Sequence, residues 1–284
     1  MNEPLGVPAW VSEIDTNPAL RRIEACFTGT RAMDVRDFDA AVRDAYETIF
    51  ARLDENDLHA VRFWAFLPGI HDPMNGGISR YMVFNAARYA AFTKRFEGGA
   101  AFCRSIPTAS AVGVEGDRFS LHGLGTTEAG VPVENPRQVP AYRYSAVYGP
   151  KPPCFARATS LAVSFPSPTL LVAGTSSITG ERSRHEGDLS RQFLETISNL
   201  AHLVANANGQ VLAEGQPAAR LDGLLRAFRH IRVYYVQAVH EALLRELVAS
   251  RFPATVTAEY ACVSLCRPEL LVEIEGVAVL STDS

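Results

Sequence analysis

The chain has 284 residues, of which 47% are hydrophobic and 20% are charged. This balance is typical of a globular protein with one large domain or two smaller ones. The net charge of −4 argues against nucleic acid as the main partner, because binding phosphates requires a concentrated basic surface. The sequence lacks a run of roughly 18 to 20 apolar residues, the length that spans a membrane, so we expect no membrane partner.

The sequence also gives expectations about the cellular compartment of the protein and about bound metals or cofactors. Residues 1–10 lack the basic and apolar blocks of a signal peptide, which favours a cytoplasmic protein. Five scattered cysteines argue against a disulfide framework. Cys262 and Cys266 have no second pair at zinc-ligand spacing, and the sequence has no GxGxxG run. We therefore expect no metal site and no cofactor.

In chain order, the first thirty residues predict a lead-in with one short strand or helix. Apolar residues then recur at helical spacing over residues 35–53 and predict an amphipathic helix. The short aromatic run over residues 60–67, closed by Pro68-Gly69, predicts a strand. Helical spacing resumes over residues 78–92. Strand and helix thus alternate within one layered unit.

Strand and turn signals dominate the middle of the chain. The segments predicted as strands are residues 109–114, 118–124, 142–148 and 155–163. The prolines between Pro132 and Pro153 predict extended chain that wraps over a surface. We place a boundary near residue 150, which gives an N-terminal half, residues 1–150, and a C-terminal half, residues 151–284.

The C-terminal half carries the clearest pattern. Asp188 is a plausible N-cap for a helix over residues 188–207, and Arg220 to Phe228 predicts a further helix or turn. The other predicted elements are a strand over 170–173, a loop over 174–187, a strand over 231–236, a helix over 239–250, and strands over 256–265 and 270–280. This order predicts an α+β fold with mixed sheets and helices packed on one face.

Several motifs of the C-terminal half resemble one superfamily. The motifs are Gly174-Thr-Ser-Ser-Ile-Thr-Gly180, Gly187-Asp-Leu-Ser-Arg-Gln192, Glu195-Thr-Ile-Ser-Asn199 and Val272-Glu273-Ile-Glu275-Gly-Val-Ala278. They resemble the RidA/YjgF superfamily, which implies a chorismate-mutase-like α+β fold. Trimers with sites at subunit contacts are also implied. The N-terminal half would then be a degenerate copy of the same fold.

Upstream motifs make the resemblance narrower. They are Arg62-Phe-Trp-Ala-Phe-Leu-Pro68, Gly77-Ile-Ser-Arg80-Tyr-Met-Val-Phe84, Ile106-Pro-Thr-Ala-Ser-Ala-Val-Gly113, Asn135-Pro-Arg-Gln138-Val-Pro-Ala-Tyr142-Arg-Tyr144, Tyr148-Gly-Pro150 and Phe155-Ala-Arg157-Ala. Together with the C-terminal motifs they are similar to the chorismatases. The resemblance implies cleavage of the enolpyruvyl ether of chorismate to pyruvate and a hydroxybenzoate. The expected product is 3-hydroxybenzoate, alone or with 4-hydroxybenzoate.

Cleavage of an enol ether needs a proton donor, and a glutamate in an apolar strand is a candidate because burial raises the pKa of its carboxyl. Glu273 lies between Val272 and Ile274 in such a strand. Glu275 lies two residues further on and shares its face, and both side chains could simply meet water on an edge strand. Spacing alone leaves these alternatives open, whereas the resemblance implies that Glu273 is the catalytic acid.

The resemblance also implies neighbours of this acid. Cys266, seven residues before Glu273, corresponds to a pocket cysteine of the members that make 3-hydroxybenzoate, although a core position is an equal alternative. Ser176 falls near a position of the family at which the choice between Ala and Gly correlates with the product that is formed. The candidates to bind the two carboxylates and other oxygens of chorismate are Arg143, Arg157, Arg251, Tyr142, Tyr144 and Tyr148.

Three other functions stay open. The first is a chorismate hydrolase that gives a dihydroxycyclohexadiene carboxylate. The second is a RidA-like imine or enamine hydrolase, against which stands the absence of an arginine over residues 252–259. The third is a non-catalytic module that binds aromatic acids. The chain is expected to be a monomer with an internal pseudo-repeat, or a homotrimer.

Overall fold

The computed structural model describes residues 5–13, 19–96 and 99–281. Its helices are α1 (Ala9–Glu13), α2 (Val35–Asp54), α3 (Arg80–Arg95), α4 (Gly99–Ser105), α5 (Leu189–Ala207), α6 (Ala218–Leu225) and α7 (Glu241–Arg251). Its strands are β1 (Leu20–Phe27), β2 (His59–Pro68), β3 (Pro73–Met74), β4 (Ile78–Ser79), β5 (Thr108–Val114), β6 (Phe119–Thr126), β7 (Val131–Val133), β8 (Ala158–Leu161), β9 (Thr169–Ser176), β10 (Ile178–Thr179), β11 (Arg182–Ser183), β12 (Phe228–Tyr235), β13 (Thr257–Cys262) and β14 (Val272–Val279).

Two mixed sheets form the frame of the molecule. The first has four strands in the order β1-β6-β2-β5, and only β2 and β5 are parallel neighbours in it. The second has six strands in the order β13-β12-β14-β9-β8-β7, with β12 and β13 parallel and the other pairs antiparallel. The predicted α+β class with mixed sheets is therefore confirmed.

Side chains alternate between the two faces of each sheet, as the period of a strand requires. On β2, Phe63, Ala65 and Leu67 join the core under α2 and α3, whereas Trp64 and Phe66 point the opposite way. The faces of the two sheets that point away from the helices share a buried cluster, which contains Trp64, Leu171 and Tyr234. The layers therefore run helices, sheet, sheet and helices, so each sheet carries its helices on one face.

The long helices begin where capping chemistry predicts. Asp188 accepts a hydrogen bond from the backbone N–H of Arg191 at the start of α5, as predicted. Asp34 caps α2 and Ser79 caps α3 in the same way. The buried face of α5 includes Phe193 and Ile197, which pack on the second sheet.

Two predicted segments differ from the structure. Residues 142–148 were expected to form a strand but form two 3₁₀ turns, Ala141–Arg143 and Ala146–Tyr148. Pro140 precedes the first turn, and Gly149, with φ of 131°, follows the second, so the chain bends twice instead of extending. The predicted loop 174–187 begins later than expected, because β9 continues to Ser176 and a small hairpin of β10 and β11 follows.

The division into halves near residue 150 stays a prediction. The strand β7, at residues 131–133, pairs with β8 in the second sheet. None of the helices in the described ranges combines the length and the apolar character needed to cross a bilayer.

Candidate active site

A cavity of about 520 Å³ opens where the two sheets and the segment after residue 140 meet. Its walls come from β5 of the first sheet, β9 and β14 of the second sheet, and α3. The polar and charged side chains that line it are His71, Ser79, Tyr81, Arg88, Ser110, Tyr144, Tyr148, Arg157, Ser176, Cys266, Arg267, Glu269 and Glu273. Met82, Ala109, Ala111, Ile178 and Pro268 add apolar wall.

Glu273 lies in this wall on β14, a strand between β12 and β9. It is 4% exposed, so the alternative in which it faces water on an edge strand is wrong. Its register partners are Tyr234 on β12 and Ser176 on β9, and Ser176 Oγ donates to Oε2 at 3.1 Å. Burial and the nearby charge of Glu275 raise the pKa of Glu273 to about 7.

The backbone around Ser176 is fixed by α5. The side-chain amide of Asn199 donates to the carbonyl oxygens of Ser176 and Ile178, each at 2.9 Å. Gln192 holds the loop before β14, because it donates to the carbonyl of Glu269 and accepts from the N–H of Leu271, both at 2.8 Å. The polar positions of the α5 motif thus pin both strands that carry the site.

Glu275 does not line the cavity, although it shares a face with Glu273. Arg62 and Ser110 donate to its Oε2 at 2.7 and 2.6 Å, and Trp64 and Tyr234 donate to its Oε1 at 3.0 and 2.9 Å. The structure therefore distinguishes the surroundings of Glu273 from those of Glu275, which their spacing in the sequence could not do. One carboxyl is enclosed by donors, and the other faces the cavity.

Strand β9 contains a β-bulge beside Glu273 and Glu275. Ala173 and Gly174 of β9 together oppose Glu275 of β14, since the register shifts between Ile274 and Gly276. The N–H of Gly174 donates to Ser110 Oγ on the first sheet at 2.8 Å. The bulge thus joins the two sheets at the cavity floor.

Three guanidinium groups line the cavity. Arg157 is buried and donates to Tyr144 Oη at 2.7 Å and to the carbonyl of Val139 at 3.1 Å, while its Nε has no hydrogen-bond partner among the described residues. Arg88 is also buried, with Nε unpartnered in the described structure and one terminal nitrogen on Asn85. Arg267 donates to the carbonyl of Glu181 at 2.9 Å.

Three positive charges face two carboxyl side chains in this wall, those of Glu269 and Glu273. Because burial raises the pKa of Glu273 to about 7, its carboxyl is partly neutral at neutral pH. Glu269 accepts from Ser183 Oγ at 2.6 Å. The cavity is therefore electropositive and suits an anionic ligand with more than one carboxylate.

Tyr144 and the 3₁₀ turn that ends at Tyr148 cover one side of the cavity. The rings of Tyr144 and Tyr148 lie 5.2 Å apart, and the guanidinium of Arg267 stacks 4.0 Å from the centre of the Tyr148 ring. Glu181 holds the segment between the two tyrosines, because its carboxylate accepts from the N–H and the hydroxyl of Ser145, both at 2.8 Å. The two tyrosine rings are thus held by Arg267 and, through Ser145, by Glu181.

Cys266 is half-buried and lines the same cavity as Glu273 and Arg157. Burial, helped by the nearby Glu273, raises the pKa of its thiol to about 12. The side chain is therefore a neutral thiol at physiological pH and not a thiolate nucleophile.

The structure brings six of the nine predicted site residues together and leaves three elsewhere. Tyr142 packs against Phe102 and does not line the cavity, and Arg143 is exposed beside the Tyr142 ring. The 3₁₀ turn sends these two side chains away from Tyr144. Arg251, at the end of α7, pairs with Asp222 at 2.6 Å and lines a separate surface cleft.

Among the cavity residues that were not predicted as site residues are Arg88, Arg267 and Tyr81. Arg88 lies eight residues after Arg80 on the same face of α3, and both arginines are buried. An arginine on the apolar face of a helix was the available signal. Arg267 directly follows Cys266, and Tyr81 belongs to a motif that carried the resemblance. Among the described residues, no three His, Cys, Asp or Glu side chains gather as metal ligands do.

Comparisons with known proteins agree with this geometry. Residues 19–125 match the family model described as chorismatase FkbO/Hyg5-like, N-terminal. A 3-hydroxybenzoate synthase from Streptomyces hygroscopicus is 34% identical over 90% of this chain and 74% of its own length. A chorismatase from Streptomyces rapamycinicus is 30% identical over 76% of this chain and 63% of its own length. The chain belongs to the chorismatase family.

One solved structure shows the same fold. A chorismatase crystal structure matches 91% of this chain and 75% of its own chain, with 24% identity and a TM-score of 0.75. A member of the YjgF family from Mycobacterium tuberculosis matches 44% of this chain with 21% identity and a TM-score of 0.33. The second likeness is too low to support a conclusion about either half of the chain.

Proposed function

We propose that this protein cleaves the enolpyruvyl ether of chorismate to pyruvate and a hydroxybenzoate, with Glu273 as the general acid. The observation that carries the proposal is a buried carboxyl, with its pKa raised to about 7, in the wall of a cavity lined by three arginines. The relatives named chorismatase and 3-hydroxybenzoate synthase supply the substrate class.

The first step is proton transfer from Glu273 to the methylene carbon of the enol ether. The double bond supplies the electron pair for the new C–H bond, and the positive charge moves to the ether carbon and oxygen. A carboxylic acid must be protonated at working pH to do this, and a pKa of about 7 keeps a large share of Glu273 in that form. Ser176, which donates to Oε2, orients the carboxyl.

The second step separates the two products. The neighbouring ring hydroxyl attacks the ring carbon that bears the ether, the bond between that carbon and the ether oxygen breaks to release pyruvate, and the hydroxyl proton returns to the Glu273 carboxylate. Opening of the resulting epoxide, with transfer of a ring proton to the oxygen, gives a hydroxybenzoate, so the atoms balance without added water. Capture by water instead would give pyruvate and a dihydroxycyclohexadiene carboxylate. We place the protein with the hydroxybenzoate producers, because Cys266 lines the cavity beside Glu273 and because a 3-hydroxybenzoate synthase is among its relatives.

Chorismate carries two carboxylates, and the cavity offers Arg88, Arg157 and Arg267 to hold them. The unpartnered Nε atoms of Arg88 and Arg157 are donors left available in the described structure. Tyr144 and Tyr148 cover the substrate from the side of the 3₁₀ turns. Tyr81 stays a neutral phenol, because burial raises its pKa, so its hydroxyl is available on the α3 side of the cavity as a donor to the substrate.

One assay tests the reaction. The purified protein is incubated with chorismate, pyruvate release is coupled to lactate dehydrogenase, and the aromatic product is identified by chromatography. Pyruvate together with 3-hydroxybenzoate supports the proposal, and the diene diol would assign the protein as a hydrolase. No pyruvate would exclude both reactions and leave binding of an aromatic acid without turnover.

Location and assembly belong to the same proposal. We expect a cytoplasmic enzyme, and either a monomer or a homotrimer. Sedimentation velocity of the purified chain distinguishes these two assemblies.

A further inference from the structure

The carboxylate of Glu275 is fully occupied by donors. Each of its two oxygens accepts two hydrogen bonds, from Trp64 and Tyr234 on one side and from Arg62 and Ser110 on the other. The positive charge of Arg62, 2.7 Å away, and the four hydrogen bonds that this carboxyl accepts all favour its ionised form. Glu275 is therefore held as an anion.

The serine in this cluster shows how completely the arrangement is satisfied. Ser110 Oγ donates to Glu275 and accepts from Arg62 at 2.6 Å and from the N–H of Gly174 at 2.8 Å. One donor and two acceptors are all that a hydroxyl has. Its orientation is thus fixed, and it cannot turn to accept a proton from Glu275.

The anion lies beside the acid, since positions 273 and 275 share one face of β14, roughly 7 Å apart along a strand. Both side chains are buried, at 4% and 1% exposure, so solvent screens their repulsion weakly. Burial of Glu273 is the largest cause of its raised pKa, and the charge of Glu275 is the second.

Other groups face Glu273 from every neighbouring element. Those that favour its ionised form are Ser176 on β9, Arg62 on β2 and Arg157 before β8. Cys266 and Arg267 approach from the loop before β14, Tyr81 from α3 and Tyr234 from β12. Among the described groups that act on Glu273, Glu275 is the anion that opposes the two arginines.

We propose that Glu275 is a positioning residue: its carboxylate, locked by Arg62, Trp64, Tyr234 and Ser110, acts as a fixed negative charge that disfavours a second charge on Glu273. This inference rests on the proposed role of Glu273 as the acid. It gives each glutamate of the strand motif a function. Glu273 donates the proton, and the charge of Glu275 favours the protonated form of Glu273.

The test compares the wild type with two variants. Glu275→Gln removes the charge but leaves Arg62 buried without its partner, which endangers folding. The double variant Arg62→Met/Glu275→Gln removes both members of the ion pair and avoids this problem. Because Glu275 acts more strongly on Glu273 than Arg62 does, both variants should lower the pKa of the acid, and the double variant should lower it less.

Two readouts are measured on each folded variant. The first readout is kcat/KM as a function of pH. The alkaline limb of this profile should move to lower pH by about one unit or more in Glu275→Gln. The ratio of kcat/KM at about pH 8 to kcat/KM at about pH 5 should then fall about tenfold. The second is the carbon NMR titration of side-chain-labelled glutamate, with Glu273 assigned from the spectrum of Glu273→Gln.

A matched control is Glu259→Gln on β13. This variant breaks an ion pair with Arg232 of 2.6 Å in the same sheet, outside the cavity. It should lose stability without moving the alkaline limb or the Glu273 resonance. The inference is overturned if the alkaline limb or the Glu273 resonance stays in place in both Glu275 variants, or if it moves equally in the Glu259→Gln control.

The two proposals can fail separately. If the wild type releases no pyruvate from chorismate, the proposed function is wrong, and the NMR titration still decides whether Glu275 sets the pKa of Glu273. If pyruvate is released and the Glu273 titration is the same without Glu275, the function stands and the role of Glu275 is overturned.

Discussion

Gly174 leaves the space that the Glu273 carboxyl occupies. A β-carbon built on Gly174 would overlap Oε1 of Glu273, and any side chain at this position would displace the carboxyl from its place in the cavity wall. The bulge of β9 puts Gly174 opposite Glu275, so its backbone approaches β14 at this point. The glycine is required here by close approach and not by a positive φ.

We therefore expect Gly174→Ala to lower kcat strongly, about a hundredfold, because the acid is moved from its position and not removed. Steady-state kinetics of pyruvate release measures the effect. Gly223→Ala on α6 is the control, since a β-carbon there meets no atom within 4 Å. Normal turnover in Gly174→Ala would show that the Glu273 carboxyl acts from another position.

The acid itself is tested by Glu273→Gln, which keeps the shape of the side chain but cannot donate a carboxyl proton. Turnover should fall at least about a hundredfold, the usual contribution of a general acid. Circular dichroism should show a folded protein, because Gln can still pair with Ser176. Glu259→Gln, outside the cavity, should keep its turnover. Near-normal activity in Glu273→Gln would contradict its role as the acid.

The arginines offer a matched pair of substitutions. Arg157→Lys in the cavity keeps the charge but loses the fork that grips a carboxylate, and kcat/KM should fall about tenfold or more. Arg251→Lys, at the surface cleft beside Asp222, should leave kcat/KM unchanged. The two variants are compared in the same pyruvate assay. Equal losses would mean that Arg157 acts through stability and not through substrate binding.

The sequence predicted the elements better than the connections between them. Helices α2, α3 and α5 and strands β2 and β14 follow from apolar periodicity and capping, because these signals are local. The 3₁₀ turns near Tyr144 have no such period, and a strand there would have put Tyr142 and Tyr144 on one face. The turn instead separates Tyr142 from the cavity.

The distinction between Glu273 and Glu275 was beyond local reasoning for a physical reason. The donors that enclose Glu275 come from Arg62, Trp64 and Ser110, which lie 165 to 213 residues away in the chain. Their convergence depends on how the two sheets face each other. Spacing along β14 carries no information about that packing, and a resemblance to known proteins had to supply the choice.

Stability should depend on pH through two carboxyls. Burial raises the pKa of both Glu273 and Glu134 to about 7 from an ordinary value of 4.5. Between these values each of these two carboxyls binds more protons in the folded chain than in the unfolded chain, so each makes the free energy of unfolding fall as pH rises. The stabilisation is complete below the ordinary value and is lost as pH passes about 7.

Urea unfolding across this range measures the dependence. Glu273→Gln should show a shallower loss of stability with pH than the wild type, because one of the two groups no longer titrates. Glu259→Gln should keep the wild-type slope while lowering stability overall. An unchanged slope in Glu273→Gln would mean that the carboxyl of Glu273 is ionised across the whole range.

Cys266 should govern which product forms more than how fast it forms. Its thiol is neutral, since burial raises its pKa to about 12, and it contributes shape and a weak S–H donor beside the reacting carboxyl. Cys266→Ala should therefore change the ratio of 3-hydroxybenzoate to 4-hydroxybenzoate or diene diol, while the rate of pyruvate release changes by less than about tenfold. Chromatography of the aromatic products measures the ratio. Cys262→Ala, an exposed thiol on β13, serves as the control with an unchanged ratio. If both variants give the wild-type mixture, Cys266 is a packing residue of the cavity wall.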